Sequence, residues 1–465
     1  MSEPITTTPR VPPIPGVKKR APGPRSLSPF GSAPAIVRDT QAFALDMWQH
    51  YGDVVRFRLM SWPAFVLFHP DHLKYVLQDN HRNYNKQFPM MSSVRPLLGN
   101  GLFTSDGKSW LHQRRLMQPS FHHKRIAGFG TIMTDATLAM LERWQGTDSP
   151  PLDIPVEMMR LTLRVAGLTL FNLDLSNDMD TVGRTFSTML PLLSKYTFVP
   201  FPPLWVPTPR NQSLRAGIET LNNVVYGIIA ERRKLAADAG SEAKDLLSML
   251  LAAQDEETGE GMSNQQVRDE VMTLLLAGYE TTSTALTWIW YLLSKYPEVE
   301  QRLHAELETV LGGQIPTADR LNDLPYTRMV VQEAMRIYPP VFGTTRHTVA
   351  DDEIGGYHVP ANSTIFLTTY YTHRHPLFWE EPERFDPERF TPERSVGRPR
   401  FAYAPFGGGP RQCIGNTFAM MEAQLVVATV AQRYRLHLVP GHPVEPQVML
   451  TLRPRYGLPM TLQPL

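Results

Sequence analysis

The run from Val271 to Leu293, VMTLLLAGYETTSTALTWIWYLL, constrains the fold more than any other part of the chain. It is apolar nearly all round. As a helix at ~1.5 Å per residue it would be about 35 Å long, enough to cross a bilayer. Glu280 near its midpoint, beside the hydroxyls of Thr281, Thr282, Ser283, Thr284 and Thr287, argues against a span. A carboxylate at bilayer depth costs roughly 2.5–3.5 kcal/mol. The run is also solitary in a chain that carries 46 basic and 45 acidic residues. It is therefore read as a long central helix inside a large protein. A polar cluster halfway along a buried helix is costly, so it needs a purpose.

The chain has 465 residues, enough to enclose a ligand in a large apolar core. A net charge of +1 provides no field for gathering nucleic acid. The N-terminus, MSEPITTTPRVPPIPGVKKRAPGPRS, has neither an apolar signal core nor a membrane anchor. Residues 1–37 are read as a proline-rich flexible arm and 38–465 as one catalytic domain. A helix is expected from Asp39, its cap. Strands are expected at Val54–Leu59 and Ala64–Phe68, broken by Ser61, Trp62 and Pro63. Helical periodicity prevails from Lys108 to about Leu311. Strands and turns follow Pro339, and a last helix runs from Asn416 to about Tyr434. The fold class is mainly α with a smaller β-rich part built from both chain ends.

Cys413 is the one cysteine, which excludes an intrachain disulfide framework and a thiolate zinc cage. A reducing cytoplasm suits such a chain. The thiol lies in FGGGPRQCIG, just before a helix. Loop amides, the helix end and Arg411 favour a thiolate there. A phosphate loop is disfavoured, because Gly-Lys-Ser/Thr is missing and Pro410 removes a donor. A buried thiol, a nucleophile, a redox sensor and a metal ligand stay open. A single thiolate on a haem iron also explains the glycines, which admit a flat macrocycle.

Phe406-x-x-Gly409-x-Arg411-x-Cys413-x-Gly415 resembles the haem-ligand signature of the cytochrome P-450 superfamily, and the resemblance extends over nearly the whole chain. It implies a triangular prism around a buried haem b, with a long central helix and Cys413 as the iron ligand. EAMR resembles the family's ExxR pair, Glu333 and Arg336. EEPERFDPERF adds Arg389 as the third member of a structural triad, with Arg384 as its rival. AGYETT resembles the oxygen-activation stretch. It implies that Glu280 and Thr281 face the distal side of the iron as an acid–alcohol pair, with room left by Ala277 and Gly278. SWLHQRR implies that Trp110 and Arg114 hold a haem propionate. Arg346 and Arg411 complete three arginines for two carboxylates.

The activity so implied is insertion of one atom of O2 into a C–H bond of a hydrophobic substrate. Electrons would come from a separate ferredoxin or flavodoxin with its reductase. Arg115, His122, His123, Lys124, Arg125, Arg398 and Arg400 are the expected dock. LLGNGLFTSDGKSWLHQRRLMQPSF is most similar to the fatty-acid-hydroxylating branch, so a long-chain fatty acid ranks first and a terpenoid or steroid next. The apolar stretches FPMMSSVRPLLGNGLF and LPLLSKYTFVPFPPLWVP are expected to border the pocket, with Arg95 available to a carboxylate. Three other readings stay open: a haem-thiolate sensor or carrier, the same fold rearranging or dehydrating a peroxide, and a cofactor-free interaction protein. The intact Glu280–Thr281 pair speaks against the first two.

Overall fold

The computed structural model describes residues 19–26, 28–87, 91–145, 151–174, 179–196, 204–239, 245–252, 259 and 261–465. Its longer helices are α1 (Thr40–Tyr51), α2 (Met91–Leu98), α3 (Gly107–Met117), α4 (Gly130–Trp144), α5 (Ile154–Phe171), α6 (Met179–Tyr196), α7 (Pro209–Ala239), α8 (Asn264–Lys295), α9 (Pro297–Leu311), α10 (Pro325–Ile337) and α11 (Asn416–Ala431). The strands that matter below are β1 (Val54–Leu59), β2 (Trp62–Leu67), β3 (Tyr84–Asn85), β4 (Thr344–Thr348), β5 (Thr364–Leu367), β6 (Tyr434–Leu438), β7 (Leu452–Pro454) and β8 (Pro459–Pro464). This is the mainly α body with a smaller β part that the sequence led us to expect.

The long apolar run forms α8. Ser263 caps it: its hydroxyl accepts from Gln266 N–H, and the Gln266 side chain accepts from Ser263 N–H at 2.8 Å. Those reciprocal bonds satisfy two orphan donors. The helix ends at Tyr296 before Pro297. Its apolar perimeter follows from burial on nearly all sides. Leu286, Ile289 and Leu293 join a core with α4, α5, α10 and α11, while Val271, Leu275 and Tyr279 join a second with α5 and α6. Trp288 stacks on Tyr338 at 4.0 Å and donates its indole N–H to the Leu452 carbonyl. Among the described residues, no helix is long and apolar enough to cross a membrane.

The main sheet has strand order β1-β2-β5-β4-β3. β2 and β5 run parallel, Ala64 beside Thr364, and the other neighbours are antiparallel. It pairs strands from the first hundred residues with strands that follow Pro339, while the C-terminal strands form separate small sheets. The break between β1 and β2 is tighter than expected. Only Met60 and Ser61 turn, Met60 with φ +50°, and Trp62 and Pro63 belong to β2. Pro63 lies near the strand start, where a missing N–H is tolerated. Near the C-terminus β8 pairs with β6.

Asp39 caps α1, accepting from Ala42 N–H at 2.9 Å. Of the expected arm, residues 1–18 lie outside the described residues. From Lys19 onward the chain is packed. His358 N–H donates to the Lys19 carbonyl, Arg56 N–H donates to Pro22, and Ala21 is buried. The described part of the expected arm, 19–26 and 28–37, is thus bonded to the body of the fold through its backbone.

Candidate functional site

The Cys413 loop precedes α11, whose N-cap is Gly415. Cys413 N–H donates to the Phe406 carbonyl at 3.0 Å, which closes the loop on itself. Gly409 has φ +68°, and a Cβ there would fall 1.8 Å from the Leu77 carbonyl oxygen. Only glycine fits that position. The Cys413 thiol is exposed by accessible surface, yet protein closes around it closely enough to desolvate it. Both observations hold if it faces a gap inside the protein. Burial pushes the thiol pKa up, opposed by the Gly415 N–H and the Arg114 guanidinium. The expected thiolate stabilisation is present, and desolvation opposes it.

The middle of α8 is partly open on one face. Ala277 is exposed and Gly278 and Thr281 are half-buried, while Leu275, Leu276, Tyr279, Glu280 and Thr282 are buried. Positions 277, 278 and 281 fall on one face within about one turn. The Thr281 hydroxyl donates to the Ala277 carbonyl at 2.8 Å. Glu280 points elsewhere. Its carboxylate accepts from Thr451 Oγ1 at 2.5 Å and is gripped by both Nε and Nη2 of Arg453, on β7. A cavity of about 630 Å³ opens on that side, lined by Tyr279, Ser283, Thr284, Thr287 and Arg453, and lies away from Cys413. The expectation that Glu280 and Thr281 face the same side is therefore corrected. They are neighbours in sequence but about 100° apart around the helix.

Around the Cys413 loop stands a group of cations. Arg114 donates to the Gln412 carbonyl at 3.1 Å. Arg411 lies 4.3 Å from the Trp110 ring centroid, donates to the Ser105 carbonyl at 3.1 Å and pairs with Asp106. Arg346 is buried on β4 and donates to Thr344 Oγ1 and the Thr345 carbonyl. Burial, with Arg411 nearby, brings its pKa down to about 10. Lys86 was not singled out in the sequence. Its ammonium donates to the Phe103 carbonyl at 2.8 Å, and burial beside Arg346 and Arg411 drives its pKa well down. Asp106 is the carboxylate that offsets this repulsion.

This donor set fits a haem: one exposed thiol closely surrounded by protein, a partly open face at the middle of α8, and a cluster of one buried and three half-buried cations suited to two propionates. Among the described residues no cluster of three or more His, Cys, Asp or Glu could hold a metal on its own.

The triad region behaves as the motifs suggest. Arg336 and Glu333 are fully buried and doubly bonded, at 2.6 and 2.8 Å. Arg389 Nε lies 3.3 Å from Glu333, whereas Arg384 is exposed and pairs with Glu381. Arg336 also donates to the carbonyls of His373 and Pro382, pinning the segment before the Cys413 loop. Elsewhere the expectations divide. Arg115, His122, His123, Lys124, Arg125 and Arg400 are exposed, but Arg398 is half-buried over the Trp379 ring at 4.1 Å and bonded to the Arg389 carbonyl. Arg95 is exposed, where it is poorly placed for a buried carboxylate. Residues 88–90 and 197–203 of the two expected pocket stretches lie outside the described residues.

The family model for cytochrome P450 matches residues 21–460. The chain belongs to the cytochrome P450 family. It is similar to cyclooctatin synthase of Streptomyces melanosporofaciens, 38% identical over 431 residues and 92% of each chain. It is similar to pentalenene oxygenase of Streptomyces avermitilis, 34% identical over 430 residues, 92% of this chain and 94% of the relative. Among solved structures, the retinoic-acid-bound cyanobacterial CYP120A1 superposes with a TM-score of 0.87 at 27% identity, covering 97% of this chain and 100% of that one. This cytochrome P450 is an oxygen-dependent monooxygenase whose prosthetic group is haem b and whose electrons come from a redox partner.

Proposed function

We propose that this cytochrome P450 hydroxylates a terpenoid, and that Cys413 would supply the thiolate that holds its haem iron. The observation that carries the substrate class is the similarity, at 38 and 34% identity over nearly whole chains, to enzymes named for cyclooctatin and pentalenene. That similarity ranks a terpenoid above the long-chain fatty acid favoured from the sequence, and the exposed Arg95 gives a fatty carboxylate no buried partner.

With a thiolate ligand, a haem supplies oxygen activation and insertion of one oxygen atom into a C–H bond, the other leaving as water with two electrons and two protons consumed. The chain's residues do the rest. Trp110, Arg114, Arg346 and Arg411, joined by Lys86, would hold the propionates. Phe406 and Gly415 shape the ligand loop by the backbone bonds described above. Ala277 and Gly278 keep α8 thin where the substrate must approach. The Thr281 hydroxyl, on the partly open face of α8, holds a proton there. Glu280 is the solvent-side acid: the 630 Å³ cavity brings water to Arg453, and release of that guanidinium frees the carboxylate to pass a proton inward. Glu333, Arg336 and Arg389 hold the segment beneath the haem. A ferredoxin or flavodoxin docks on the exposed cations at 115, 122–125 and 400.

The test is a screen of terpenoid hydrocarbons and alcohols beside fatty acids for substrate-induced spin-state change in the Soret band, followed by product analysis. Spin shifts and hydroxylated products from terpenoids support the reading. Shifts with fatty acids alone overturn it.

A further inference from the structure

Segment 99–106, which joins α2 to α3, is fastened at both ends by bonds that no part of the proposed mechanism uses. At one end two adjacent acids of α8 reach its backbone. Asn100 N–H donates to Asp269 Oδ2 at 2.8 Å, and Leu102 N–H donates to Glu270 Oε2 at 3.0 Å. Asp269 is itself held from behind by Gln265 at 2.8 Å and Arg268 at 3.0 Å. Arg268 in turn grips the Asn222 side chain on α7. At the other end, Arg411 holds the Ser105 carbonyl and the Asp106 carboxylate, and Lys86 holds the Phe103 carbonyl. Between them Gln113 of α3 ties the Asn100 carbonyl at 2.7 Å and Ser105 Oγ at 2.5 Å.

The fit against α8 is close. A Cβ on Gly101 would lie 2.4 Å from Thr273 Oγ1 and 2.7 Å from the Asp269 carbonyl. Two buried polar atoms at this seam, Glu270 Oε1 and Thr273 Oγ1, have no hydrogen-bond partner. Arg268 offsets the charge of Asp269, but one oxygen of each acid is spent on the backbone of this segment, and burying such groups is costly unless they are bonded.

We propose that Asp269, assisted by Glu270, is a positioning residue that straps segment 99–106 to the central helix and so sets the wall of the substrate pocket and the Arg411 guanidinium together. The strap links α7 and α8 to Arg411, two positions before Cys413. The proposal rests on the haem-thiolate reading and deepens it.

Hydrogen exchange of the haem-loaded enzyme reads the strap directly. In Asp269→Asn the amides of Asn100 and Leu102 should exchange about tenfold faster or more, the range expected for loss of a charge-assisted bond. The rest of α8 should keep its protection. The red-shifted ferrous–carbonyl peak should remain, and the dissociation constant for a spin-shifting terpenoid should rise by about tenfold as well. Burial raises the Glu270 pKa to about 8, so at neutral pH its bond to Leu102 N–H is already that of a neutral acceptor, and Glu270→Gln should exchange like the wild type. Gly101→Ala should loosen the same two amides with both acids intact, so it serves if Asp269→Asn does not fold. Unchanged exchange at both amides overturns the proposal, and so does a rise spread evenly along α8. Loss of the carbonyl signature in the wild type would instead remove the haem-thiolate reading beneath it.

Discussion

Glu422→Gln is the substitution whose effect can be worked most fully from the structure. Glu422 lies on α11, 1% exposed, and no hydrogen bond of ordinary geometry reaches either carboxyl oxygen, although the Thr282 hydroxyl lies near it. Burial pushes its pKa from 4.5 up to about 8, and the Thr282 hydroxyl offsets this only in part. The folded chain thus keeps a proton that the unfolded chain releases. Where the native state binds more protons, stability falls as pH rises, by about 1.4 kcal/mol per unit between the two values. From about pH 5.5 to about pH 7.5 the loss is about 3 kcal/mol. Glutamine has nearly the same shape and does not titrate. Its own cost of burial is independent of pH, so the slope rather than the offset carries the test. Urea unfolding of wild type and Glu422→Gln, followed by tryptophan fluorescence across this range, should show the variant gaining about 3 kcal/mol relative to wild type. Parallel stability curves would refute the reasoning and mean that Glu422 is ionised in the fold.

Thr281→Ala should leave haem content and substrate binding unchanged but divert reducing equivalents to hydrogen peroxide; product formed per electron consumed checks it. Arg453→Met should leave the buried Glu280 carboxylate without its cation, costing about 3–5 kcal/mol of stability, read by the urea midpoint. Gly409→Ala should prevent stable haem loading, because its Cβ would collide with the Leu77 carbonyl; haem content per chain is the measurement. Lys86→Met should weaken haem retention against apomyoglobin by about tenfold, the worth of one charge-assisted bond.

Much of this was legible in the sequence. The Cys413 loop declares itself because its chemistry is local: glycines, a helix start and a thiol within a few residues. The Glu333–Arg336 pair is also local, one helical turn apart, and Arg389 followed from a nearby motif. The α8 run is legible because burial on all sides leaves an apolar perimeter. Other features depend on contacts that no local pattern encodes. Glu280 turns away from Thr281 because Arg453, far along the chain, takes its carboxylate. Lys86 and Glu422 are ordinary residues in their own segments and become unusual only by what encloses them. Residues 19–22 are held because a β-bridge partner, His358, and a hydrogen-bond partner, Arg56, lie elsewhere in the chain. Arg398 reads as a surface charge until Trp379 is placed beneath it.

The central claim concerns the sulfur of Cys413. The ferrous–carbonyl spectrum of the purified, haem-loaded enzyme tests it most directly. The account predicts the red-shifted Soret peak that an anionic sulfur ligand produces, and its loss in Cys413→Ser with the fold preserved. A peak that is missing from the wild type, or that survives in the serine variant, would contradict it.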